Sequence, residues 1–324
     1  MRLKTPSPRT VRDMKRSNIN PSGGRRARSI GLVHECAALT WIGRWCYSSA
    51  GTLAALTTKH LPARLVEAGL CKRTAMRNPL AVATYALTLT SKGARRAQEL
   101  QAKIRADKTL ETLAIERGFR SLLLDKSAPP ARVSHVRHWT FNHDIRVQQC
   151  IAAYMRRYGD EIGESLGFGV RVDAIRTTHE LETGPRKKGA RIADVKMRGT
   201  AQMDGLVQGM RDAYIELETS RKRTDEVDRF CLAWRDRLKN STARLLLICG
   251  TQTLKNAWER AFKRPVVPRY KKTETGRYAK VEGETAPMDY DPDNPSHRLV
   301  IVYVDWDVIK SMLEHPDARA RKAA

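Results

Sequence analysis

From residue 31 onward the apolar positions recur at helical spacing, and the pattern predicts three short helices over 32–45, 49–56 and 59–68. In the third, Leu61, Leu65 and Val66 share one side, and Pro62 sits in the first turn, where its missing N–H costs nothing. Gly69 supplies the stop. Lys59, His60 and Arg64 are left on the polar side. The period then shortens to two: strands are expected at 70–74 and 85–89 around a polar turn at Asn78-Pro79, with Thr90 or Ser91 capping a further helix. The stretch 92–124 reads as a connecting helix broken at Gly118, and the run Ser127-Ala-Pro-Pro130 closes it.

Beyond that boundary one long helix is expected over 143–158, followed by strands at 170–175, 192–197, 203–207 and 213–218 and a helix over 224–238. RLLLICG at 244–250 is a continuous apolar run of the kind buried on both faces of a central or parallel strand, and a helix over 254–262 follows it. Residues 265–297 are polar and proline-rich, so they read as an insertion or long loop. RLVIVYV supplies a last buried strand, and Asp305 caps a short helix ending near 313. The expected class is α/β, or α+β overall, with a basic arm (1–29), a first domain (30–105), a connecting helix and linker (106–130) and a second domain (131–324).

Charge changes the picture most. The 324 residues carry a formal net charge of +25, a field that attracts polyanions over a Debye length or more, so nucleic acid is the expected partner. The first 29 residues hold nine of the basic residues and a single acid, Asp13, with no apolar period; a disordered arm is expected, either clamping phosphates or merely solubilising. The loop 184–191, with Arg186, Lys187 and Lys188, is a second basic segment suited to a phosphate backbone. No apolar run approaches the length of a membrane span and no apolar segment follows the basic N-terminus, so a soluble cytoplasmic protein is expected. The six cysteines are widely spaced without a Cys-x-x-Cys pair and read as small buried apolar residues.

Three helices followed by a two-stranded hairpin describe a winged helix-turn-helix, and the phrases LVEAGLCKR and YALTLTSKG resemble that family over residues 31–100. Such a module sets its third helix in the major groove while its wing reaches phosphates or the minor groove, which would give DNA contacts to Lys59, His60, Arg64, Lys72, Arg73 and Arg77. The competing reading is a winged helix used for protein contacts.

In AYIELETSRK, Ile215 and Leu217 alternate with Glu216 and Glu218, so a strand would place both carboxylates on one face about 7 Å apart. Two such anions call for a compensating cation: Arg221, Lys222 or Arg223 on a solvated face, or a divalent metal with Asp204 as a third oxygen ligand. Asp194 in IADVKM is the alternative acid, set against an ordinary surface aspartate. His135, His138 and His143 lack a relaxase-type histidine pair and read as caps or phosphate contacts, while Tyr154, Tyr158 and Tyr214 have no motif around them.

The order of these features, a helix opening on His143-Asp144, then Asp204-Gly205, then Glu216-x-Glu218 and a basic segment, resembles the restriction-endonuclease-like PD-(D/E)xK core. With the winged helix before it, residues 31–262 resemble the replication-relaxation family, and within it the MobC-type mobilisation relaxases. The resemblance implies a protein that binds a plasmid or integrative-element transfer origin, alongside other mobilisation or coupling proteins, and nicks one strand with Mg2+ or Mn2+. It implies metal coordination by Asp204, Glu216 and Glu218, with Lys222 stabilising the phosphorane or orienting the nucleophile. Met203 stands where the motif has proline, and Glu218 where it has lysine. A non-enzymatic regulator or accessory protein on the same fold is the alternative, and a double-strand endonuclease a third.

Overall fold

In the computed structural model the described residues are 21–78, 80–133, 135–158, 170–183, 192–203, 206–239, 243–288 and 299–314. Helix α1 (Pro21–Trp45) opens the fold. The arm expected through residue 29 therefore ends earlier: residues 21–29 are already helical, with Pro21 at the first turn and Arg25, Arg26 and Arg28 on the exposed side of a helix whose apolar face begins at Ile30 and Val33. Residues 1–20 lie outside the described residues.

Helices α2 (Ala50–Leu56) and α3 (Leu61–Glu67) follow, then strands β1 (Cys71–Ala75) and β2 (Tyr85–Leu89), paired antiparallel with Cys71 opposite Leu89 and Ala75 opposite Tyr85. Ser49 caps α2 by accepting the Thr52 N–H at 3.1 Å. Thr90 caps α4 (Ser91–Ala106) by accepting the Gly93 N–H at 3.0 Å, and its hydroxyl also reaches the Gly69 carbonyl at 2.7 Å. The start of α4 is thus pressed onto the end of α3. A Cβ at Gly93 would lie 1.9 Å from the Leu70 carbonyl oxygen, a backbone atom that cannot step aside. Gly93→Ala is expected to cost about 3 kcal/mol, the upper end for overpacking, read from the urea midpoint; an unchanged midpoint would show that the contact relaxes freely.

The stretch expected as one broken helix is three: α4, α5 (Lys108–Glu116) and α6 (Arg120–Leu123). Asp107 ends the first and caps the second, accepting from the Thr109 and Leu110 N–H groups, and Gly118 takes a left-handed φ of 73° at the second break. This segment is no loose linker. Leu110, Leu113, Phe119, Leu122 and Leu123 are buried in one apolar core that runs from Val33 and Trp41 on α1 to Val172, Ile215 and Ile248 in the central sheet.

Helix α7 (Phe141–Tyr158) precedes that sheet, which has the order β3-β4-β5-β6-β9: β3 (Val170–Thr177), β4 (Val195–Met203), β5 (Leu206–Glu218), β6 (Arg244–Cys249) and β9 (Leu299–Tyr303). β3, β4 and β5 are antiparallel in turn, whereas β5, β6 and β9 run parallel. Short α8 (Thr178–Thr183) links β3 to β4, α9 (Thr224–Lys239) crosses from β5 to β6, α10 (Gln252–Phe262) follows β6, and α11 (Trp306–Glu314) packs on α7. The mixed helix-and-sheet class expected from the sequence is what the chain adopts.

Alternation along β5 sorts its two faces. Ala213, Ile215 and Leu217 join the core shared with α7 and the N-terminal helices, while Tyr214 belongs to a second core with Phe230 and Trp234 of α9 and Trp258 and Phe262 of α10. In β6 both faces are buried, hence its unbroken apolar run, whereas β9, at the sheet's edge, has Leu299 buried, 300–302 half-buried and Tyr303 exposed. The strand expected at 213–218 is the second half of β5, and that expected at 203–207 spans the end of β4 and the start of β5. The segment expected as a long loop instead forms a hairpin of β7 (Val266–Lys272) and β8 (Tyr278–Pro287), its base held by buried Val267 and Ala286 and its outer part exposed on both sides. All six cysteines are buried thiols, and burial pushes Cys36, Cys71, Cys150, Cys231 and Cys249 up to about 12, so none of these five is a nucleophile at neutral pH.

Candidate nucleic-acid interface and acidic cluster

Two surfaces carry the chemistry. The first is built on α3 and the β1–β2 hairpin, where Lys59, His60, Arg64, Lys72, Arg73 and Arg77 are all exposed. Leu61, Pro62 and Leu65 hold the other side of α3 in the core. Arg73 lies over the Tyr85 ring at 5.0 Å, cross-strand on the same face. Between β1 and β2 the chain is pinned to α7: the Asn142 side chain accepts the Val82 N–H at 2.9 Å and donates to the Leu80 carbonyl at 3.2 Å. Leu80 and Trp139 are 83% and 86% exposed, two large apolar side chains near the start of α7. Arg186, Lys187 and Lys188 lie outside the described residues.

The second surface lies where the parallel strands β5, β6 and β9 end, the edge at which open α/β sheets place their ligands. Asp194 immediately precedes β4, and the register, Val195 opposite Ile215, brings it beside the end of β5. One Asp194 oxygen accepts the Leu217 N–H at 2.7 Å and the other meets His143 Nε2 of α7 at 3.0 Å. Burial works against protonation of His143, but the hydrogen bond and charge of Asp194, with the charges of Asp144 and Glu218, outweigh it and raise its pKa to about 9. The imidazole is therefore a cation at neutral pH. Asp144 in turn accepts from Tyr47 and from Thr140, the latter at 2.8 Å; burial nevertheless raises its pKa.

Glu216 and Glu218 project from the other face of β5, and both are buried, so the solvated strand face weighed from the sequence does not apply. Glu216 accepts the Trp234 indole N–H at 3.2 Å. Glu218 pairs with Lys222 at 2.9 Å, and its backbone carbonyl accepts the Gly250 N–H at 2.8 Å. Asp204, expected as their partner, lies outside the described residues. The strand residues flanking it, Met203 and Leu206, pair at the far end of the β4–β5 hairpin, roughly 27 Å of strand from Val195 and Ile215. The acid that the register does bring beside Glu216 is Asp194. Its signal in the sequence was its place directly before an alternating strand.

The chemistry of Asp194, Glu216 and Glu218, all hard oxygen donors, suits Mg2+ or Mn2+. Their arrangement does not: among the described residues no group of three or more His, Cys, Asp or Glu side chains is placed to hold a metal ion. Both Asp194 oxygens are engaged and Glu218 is held by Lys222, so as they stand these carboxylates do not form a metal site.

Among the described residues no helix is long and apolar enough to cross a membrane. No protein-family model matches the chain, and no curated protein or solved structure is similar enough to count as a match.

Proposed function

We propose that this chain is a DNA-binding protein that uses α3 and the β1–β2 hairpin as a winged helix-turn-helix, as the resemblance to the replication-relaxation family implies. The observation that carries the reading is the row of exposed cations Lys59, Arg64, Lys72, Arg73 and Arg77 on a three-helix, two-strand unit in a chain of net charge +25. With α3 in the major groove, Lys59 and Arg64 face base edges and phosphates, and Lys72, Arg73 and Arg77 follow the adjacent backbone. A plasmid or integrative-element transfer origin is the proposed target, with mobilisation or coupling proteins as partners.

A second reading, a relaxase that nicks one strand in a metal-dependent reaction, is favoured by one observation. The order helix, three antiparallel strands with short α8 after the first, crossover helix, parallel strand is compatible with a restriction-endonuclease-like core, and it sets Asp194 beside the strand bearing Glu216 and Glu218. In that reading Asp194, Glu216 and Glu218 would hold the metal, with or without Asp204, and because their present arrangement does not fit an ion, Lys222 and His143 would first have to release their carboxylates. The test is supercoiled plasmid carrying the element's own origin, incubated with Mg2+, Mn2+ or EDTA beside Glu216→Gln. Metal-dependent open circles lost in the variant establish the nickase; specific binding without nicking leaves the accessory DNA-binding protein; absence of any binding removes both.

A further inference from the structure

Beside the acidic cluster, α9 and the β7–β8 hairpin line a cleft of about 810 Å³. One wall carries Arg221, Lys222 and Arg229; the other carries Arg269, Lys271 and Tyr278. Some of these charges are answered locally: Lys222 by Glu218 at 2.9 Å, Arg229 by Asp225 at 3.4 Å, and Lys271 by Glu284 at 3.4 Å. Arg221 and Arg269 are exposed and form no ion pair among the described residues. Like charges lining one cleft repel each other, a cost that a bound anion reduces.

The hairpin is fixed at its base and open above. Tyr270 donates to Asp228 of α9 at 2.9 Å, and Arg264 pairs with the same carboxylate at 2.6 Å, so the walls are held at a set separation. Tyr278, 45% exposed, presents its ring with the Arg229 guanidinium 3.8 Å from the centroid. Cations on both walls with an aromatic ring among them are the elements of a single-stranded nucleic-acid track: the cations follow the phosphates and the ring stacks on a base whatever its identity.

We infer that this cleft is a second nucleic-acid site, distinct from the α3 face, which takes a single strand with its phosphodiesters between Arg221 and Arg269 and a base against Tyr278. The inference rests on the DNA-binding reading and adds to it. Lys222 joins the two surfaces, since it lines the cleft and pairs with Glu218, so a strand lying there passes the acidic cluster.

The full-length protein is titrated with a fluorescent 20-nucleotide oligo-dT and with a mixed-sequence duplex at several salt concentrations, with thermal melts as the control for folding. In Arg221→Ala/Arg269→Ala the slope of log K against log salt for the single strand is expected to shrink by about 1.4, two contacts at about 0.7 each, while duplex binding is unchanged. Tyr278→Ala is expected to weaken single-strand binding roughly tenfold and Tyr278→Phe to retain it. Single-strand binding by wild type with an unchanged slope in the double variant overturns the cleft while leaving DNA binding intact. A loss confined to the duplex overturns the single-strand assignment, and a wild type that binds neither probe overturns the DNA-binding reading itself.

Discussion

Glu180→Ala is expected to destabilise the protein by about 3 to 5 kcal/mol, the usual result of leaving one member of a buried ion pair alone. Arg44 Nε meets one Glu180 oxygen at 3.0 Å and Arg44 Nη2 the other at 3.3 Å, a two-pronged contact between side chains only 2% and 4% exposed. Burial pulls the Arg44 pKa down, opposed by the charge of Glu180, so removing the carboxylate strands a cation in the core. The Thr177 N–H, which donates to Glu180 at 2.8 Å, loses its acceptor as well. Arg44→Met/Glu180→Leu is expected to recover most of the loss, because it leaves no charge unpaired in the core, while the Thr177 N–H still lacks the acceptor that Glu180 supplied. Urea unfolding of the three variants checks this, and a Glu180→Ala loss below about 1 kcal/mol would falsify the account. The pair ties α1 to the β3–α8 corner within one continuous core, so a single unfolding transition is expected in each case.

Neither Arg44 nor Glu180 drew attention in the sequence, since 136 positions separate them and nothing local distinguishes them from surface residues. Distance along the chain also explains the fate of the acidic site. Glu216 and Glu218 were legible as a same-face pair because strand alternation is a local rule. Which aspartate belongs near them depends on hairpin register, which local pattern does not reveal: Asp194 lies 23 residues from Leu217 and 51 from His143, yet touches both. β6, buried on both faces, was readable as an apolar run, and so was β9, whose residues are apolar although only Leu299 is fully buried. Elements with little burial were not: β7 and β8 are mostly charged or polar and include Pro268 beside a register shift, so their period carries no hydrophobic signal. The basic row on α3 and β1 stood out for the opposite reason, because solvent exposure lets charge accumulate without a packing constraint.

DNA affinity at that row is expected to fall about 500-fold between 50 and 200 mM salt. Lys59, Arg64, Lys72, Arg73 and Arg77 are exposed, and five neutralised phosphates give a slope of about −4.5 in log K against log salt on duplex DNA. Arg64 differs from the other four in lying on α3, the helix placed in the groove. Arg64→Ala is therefore expected to cost about 1 to 3 kcal/mol on the origin sequence and clearly less on random duplex, whereas Lys72→Ala should weaken both alike and reduce the slope by about 0.9. Fluorescence anisotropy on the two duplexes across a salt series separates these outcomes. Equal losses for Arg64→Ala on both duplexes would mean that α3 contacts backbone only; sequence preference would then have to come from DNA shape or from the acidic-cluster side of the molecule. A salt slope near zero, by contrast, would show that the exposed cations never meet phosphate, and the helix–hairpin unit would be left as a surface for protein partners.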